Sequence, residues 1–173
     1  MKRTLLILTA FILCLSLCAC GDKVEPINEA VGYTFNIPEE WELIRNDGTI
    51  ELRYDLIESD QMAEYATITA LTFTLGSEQS DFGAKNYWDF YKKDVEKLGE
   101  FKELDSEEFE LDGTPALKVK YSYKPLEKTY ISEQIICCRL GEVFIITLTS
   151  PEDKNEDVTT AFKTVKDTFK FTK

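Results

Sequence analysis

The chain has 173 residues, 32 of them acidic and 20 basic, for a formal net charge of −12, and it contains no histidine. A length of this order suits one domain with a core of its own. The negative charge disfavours nucleic acid as a partner, and the missing histidine removes histidine-based catalytic triads.

Met1-Lys2-Arg3 is a short positive start, and Leu5 to Leu17 is apolar apart from Thr9 and Ser16, before small residues lead to Gly21 and Asp22. That is the order of a secretory signal peptide. The apolar run covers about 13 residues where a membrane-crossing helix needs roughly 20, so cleavage is expected rather than retention as a span. Leu17-Cys18-Ala19-Cys20 resembles the lipobox of bacterial lipoproteins, with Ala19 in the small slot and Leu17 in the apolar one. Cys14 and Cys18 fit less well, because each follows a leucine. The resemblance implies cleavage between Ala19 and Cys20 and a diacylglyceryl thioether on Cys20. Two acyl chains anchor stably where one binds only marginally. The expected division is a signal peptide at 1–19, a spacer at 20–30 and a folded domain at 31–173. Setting aside Lys2 and Arg3 leaves 18 basic against 32 acidic residues, a net charge of −14. Such a body is repelled by an anionic lipid surface and stays in solvent at the end of its tether.

Beyond the spacer, Gly32 to Ile37 alternates apolar and polar and stops at Pro38, which reads as a strand. Asn46-Asp47-Gly48 is a turn signal, and Ile50, Leu52 and Tyr54 alternate after it. Tyr65 to Leu75, rich in threonine, isoleucine and aromatics, reads as a long strand. The period then changes. From Phe82 to Leu98, Trp88, Tyr91, Val95 and Leu98 recur at helical spacing, with Asp81 as the expected cap and Gly99 as the stop. Tyr87 and Phe90 lie on the same helix, and an exposed part of this aromatic group would make a protein-binding surface.

Glu107 to Leu111 reads as a strand turning at Asp112-Gly113, followed by Leu117, Val119, Tyr121 and Tyr123 in alternation. The acidic run Glu103, Asp105, Glu107, Glu108, Glu110 and Asp112 lacks the glycine and spacing of a calcium loop, and reads as a solvated strand face. Thr129 to Leu140 and Val143 to Thr149 are strands joined at Gly141-Glu142. Ser150-Pro151 is expected to cap and open a final helix whose inner face is Val158, Phe162, Val165 and Phe169. Cys137 and Cys138 fall mid-strand and should face opposite ways, as two packed thiols or, alternatively, as a redox pair or soft-metal site. Short turns require antiparallel pairing, so the expected class is α+β, an antiparallel sheet flanked by helices.

Gly32-Tyr33-Thr34-Phe35-Asn36-Ile37-Pro38-Glu39-Glu40-Trp41 resembles the Y-x-F-x-I-P-x-x-W opening of PsbP-like proteins. Asp112-Gly113-Thr114-Pro115-Ala116 with Tyr121 is similar to their central hairpin, and Val143 to Leu148 followed by Phe162, Val165 and Phe169 to their C-terminal order. The family includes photosystem II extrinsic subunits, Ran-binding Mog-type proteins, the lipoprotein DcrB and other bacterial lipoproteins. The resemblance spans most of residues 31–171 and implies an α/β/α sandwich that binds and stabilises partners, with no shared catalytic set and no cofactor. Metal contacts in photosynthetic members use histidine, which this chain lacks. The functional expectation is a non-enzymatic module, lipid-anchored to the cell membrane on its extracytoplasmic side, that binds an envelope protein. The alternative is a lipoprotein holding a small ligand between sheet and helix.

Overall fold

A computed structural model of the protein describes residues 32–57 and 64–172. The leader, the lipobox with Ala19 and Cys20, and the spacer lie outside them.

Nine strands and two helices follow one another in that region. They are β1 (Tyr33–Thr34), β2 (Glu42–Asn46), β3 (Thr49–Ile57), β4 (Glu64–Thr74), α1 (Ala84–Val95), β5 (Lys102–Leu111), β6 (Thr114–Tyr123), β7 (Tyr130–Arg139), β8 (Glu142–Pro151), α2 (Asn155–Thr168) and β9 (Lys170–Phe171). Seven strands form one sheet in the order β2-β3-β4-β8-β7-β6-β5, every neighbour antiparallel, and β1 pairs with β9 in a small second sheet. The Asp112-Gly113 and Leu140-Gly141 turns have positive φ at both residues, the geometry a tight hairpin needs to match strand twist.

Strand alternation sends two sets of side chains to the two faces. On one face Ile50, Leu52, Ala66, Ile68, Ala70, Ile135, Cys137, Phe144 and Ile146 meet Val158, Phe162 and Val165 of α2, with Tyr33, Phe35 and Phe169 closing the layer. On the other, Leu117, Val119, Tyr121, Ile136, Val143 and Ile145 meet Ala84, Tyr87, Trp88 and Val95 of α1. The result is the α/β/α sandwich that the resemblance implied. β8 and β7 lie near the centre and bury both faces, which is why their sequence reads as almost unbroken apolar residues. β5 is an edge strand, exposed over most of its length, and its acidic side chains discourage another chain from pairing there.

Four expectations are corrected. The first helix starts at Ala84, capped by Gly83 with no side-chain hydrogen bond, rather than at Asp81. Residues 77–82 instead form turns closed by Gln79 N–H to Gly76 and Phe82 N–H to Gln79. The helix tightens to 3-10 geometry over Glu96–Leu98, which rotates Leu98 out to solvent. Ser150 does not cap the last helix: β8 runs through Pro151, a 3-10 turn at Glu152–Lys154 follows, and α2 begins at Asn155. The first strand pairs only over Tyr33–Thr34, since β9 offers just two residues; Asn36 N–H bonds the Thr168 hydroxyl instead.

Candidate functional site

The turn after β1 builds a pocket against α2. Trp41 N–H bonds the Pro38 carbonyl at 3.2 Å, and Glu40 takes a left-handed φ of 67° to close the bend. This lays the Trp41 indole over Tyr54 of β3, ring centroids 5.6 Å apart at 23°. Opposite them, Asp157, Thr160, Ala161 and Thr164 line up on one side of α2, at spacings of three and four residues. The open recess between them is about 280 Å³, completed by Pro38, Glu39 and Glu40. Three carboxylates and no cationic side chain line it. None of this was legible in sequence, because the turn, β3 and α2 meet only through tertiary packing.

The other face of the sheet carries the aromatic group. Tyr87 and Trp88 are buried, and Trp88 stacks on Tyr121 at 5.6 Å. Tyr87, expected as part of a partner surface, is 5 % exposed and fills the core between α1 and the sheet; burial pushes its phenol up to about 12. Phe90 is 52 % exposed, and Phe82 meets it edge-on at 6.2 Å. Phe73 of β4 is also exposed and tilts against Tyr87 at 6.1 Å. Phe73 was not singled out, because alternation alone does not tell how far a helix covers a sheet. Beyond this patch the floor becomes polar. Ser132 and Thr149 hydroxyls lie 2.9 Å apart, and Gln134 donates to Thr147 at 2.9 Å.

Cys137 and Cys138 are both free thiols on opposite faces of β7. Cys137 is buried and donates weakly to the Pro115 carbonyl at 3.6 Å. Burial pushes its thiol up to about 12 and that of Cys138 up to about 11. Thiolate is the reactive form, and burial disfavours it at both positions. Among the described residues no group of three or more cysteine, aspartate or glutamate side chains could hold a metal ion. None of their helices is long and apolar enough to cross a membrane.

The family model described as DcrB matches residues 80–168. A comparison with curated proteins finds no match. Among solved structures, LpqN of Mycobacterium tuberculosis, described as involved in cell envelope biogenesis, is similar at 18% identity with a TM-score of 0.62, over 89% of this chain and 88% of that one. Cyanobacterial PsbP (CyanoP) from Synechocystis sp. PCC 6803 is similar at 19% identity and a TM-score of 0.56, over 90% of this chain and 99% of its own. The Ran-binding protein Mog1p of Saccharomyces cerevisiae is similar at 16% identity and a TM-score of 0.56, over 81% and 90%. At these identities the likeness is one of fold.

Proposed function

From membership of the DcrB family, to which this chain belongs, we propose that it is a non-catalytic, extracytoplasmic binding and assembly module, held to the membrane by a diacylglyceryl group on Cys20. It presents the α1 face to a membrane or envelope protein. The observation that supports this reading best is the exposure of Phe73, which tilts against buried Tyr87, and of Phe90, which meets Phe82 edge-on. Exposed aromatics on a buried aromatic support are the usual anchors of protein interfaces. The description of LpqN as acting in cell envelope biogenesis agrees with it. Tethering raises the effective concentration near membrane partners, so weak contacts can suffice.

The test is crosslinking and pull-down from native membranes. Cys20→Ala should move the chain out of the detergent-extracted membrane fraction; its staying there rules out the lipid anchor. One envelope protein should be enriched by the native chain and lost with Phe73→Ala/Phe90→Ala while the melting temperature holds. Capture undiminished by the double variant would remove the α1 face from the reading. A second reading, a lipoprotein that holds a small ligand between sheet and helix, is favoured by the Trp41–Tyr54 pocket.

A further inference from the structure

The pocket between β3, the 38–41 turn and α2 has a chemistry of its own. Its volume of about 280 Å³ lies near the low end of ligand sites, which run from about 300 Å³ upward, so its ligand is of small-metabolite size. Its floor is a stacked tryptophan–tyrosine pair, whose ring faces carry negative quadrupole charge. Its rim is Glu39, Glu40 and Asp157, and among the described residues none of the three makes an ion pair. Trp41 is 9 % exposed, and among the described residues its indole N–H makes no protein hydrogen bond and keeps contact with solvent. Thr160 and Thr164 add hydroxyls on the helix side.

Aromatic faces attract cations, and most strongly where water is partly excluded. Carboxylates without partners at the rim add to that attraction and repel anions. We propose that this pocket binds a small organic ammonium ion, with its charged head over the Trp41–Tyr54 pair and its hydroxyl or carbonyl oxygen accepting from the indole N–H. The inference rests on the small-ligand reading and adds the ligand's charge and class. An ammonium group comes either as a free amine or as the headgroup of a zwitterionic lipid. In the headgroup a phosphate follows the ammonium within a few bonds and would meet the three carboxylates, so the geometry favours the free amine.

The experiment is isothermal titration of the full chain in nonionic detergent. The probes are choline, its neutral isostere 3,3-dimethylbutan-1-ol and phosphocholine, each at matched ionic strength. Choline should bind saturably, at least tenfold more tightly than the isostere and at least fivefold more tightly than phosphocholine. Asp157→Asn and Glu39→Gln should each weaken choline about fivefold, the scale of one partly exposed ion pair. Ala161→Met, which fills the cavity from α2, should abolish binding with little change in melting temperature. Equal binding of choline and the isostere would overturn the cation while leaving a small-ligand pocket. Absence of choline binding, or binding untouched by Asp157→Asn and Ala161→Met, would overturn the proposal. Phosphocholine binding as tightly as choline would overturn the free amine as the source.

Discussion

Asn155, at the start of α2, joins the helix to the sheet, and replacing it tests how that face is held. Its side chain is 6 % exposed. It donates from Nδ2 to the fully buried Ser150 hydroxyl at 3.1 Å and accepts on Oδ1 from Lys120 Nζ at 2.8 Å. Asn155→Ala removes a bond to a charged amine, worth about 1.5–3 kcal/mol, and a neutral bond worth about 1 kcal/mol. It also leaves the Ser150 hydroxyl enclosed without this partner, while Lys120, being only partly buried, recovers some hydration. The net loss should be about 2–4 kcal/mol, read as a lower urea midpoint at unchanged slope. For a domain of this size that corresponds to a melting temperature lower by about 5–15 °C. Ser150→Ala on the Asn155→Ala background should cost nothing further, because it deletes the stranded hydroxyl. Lys120→Met and Asn155→Ala should couple by about 1 kcal/mol or more in a double-mutant cycle. A loss under about 0.5 kcal/mol for Asn155→Ala, or strict additivity with Lys120→Met, would refute the reasoning.

Asp112 accepts from Lys170 Nζ at 2.7 Å and from the Phe171 backbone N–H at 2.9 Å, fastening β9 to the β5–β6 turn. The Lys170 bond first, then the backbone bond, hold its carboxyl below the ordinary carboxylate range. A lowered folded-state pKa means stability present above the unfolded value and lost as pH falls through the folded one. Asp112→Asn should therefore be less stable than the native chain at neutral pH, with the gap closing as acid protonates the native carboxylate; a gap independent of pH would contradict the assignment. Both thiols of β7 should react with a disulfide reagent about a hundredfold more slowly in the folded chain than after denaturation. Mass spectrometry of the native protein should find both free, and a Cys137–Cys138 bond would sink that account. Phe162→Ala, in the middle of the α2 core, should cost about 3–5 kcal/mol, measured by urea denaturation.

Much of the sheet was legible because strict alternation survives wherever one face is buried, as in Leu117, Val119, Tyr121 against Lys118, Lys120. β5 was read too short: its edge position exposes both faces, so residues 102–106 carry no apolar rhythm. The helix starts were misread for a shared reason. Asp81 and Ser150 have capping chemistry, but Asp81 sits in a turn and Ser150 inside β8, where its hydroxyl serves Asn155. The aromatic group on α1 was visible as a group, yet which side chains stay exposed depends on how far the helix covers the sheet, and that leaves Tyr87 inside and Phe90 of α1 and Phe73 of β4 outside. The pocket had no sequence signal, since residues 38–41, 54 and 157–164 are distant along the chain.

The Gly32 carbonyl accepts the Thr172 N–H at 3.1 Å, directly beside the Tyr33–Phe171 and Thr34–Lys170 pairs. The two ends of the folded region are thus stitched together. Such a molecule tolerates circular permutation, because a short linker from 172 to 32 bridges almost no distance. The same closeness limits fusion design. A reporter placed after residue 172 would sit directly beside the point where the chain enters the fold at Gly32. An insertion at the Pro125–Lys128 loop or new ends opened there would keep a label off that point.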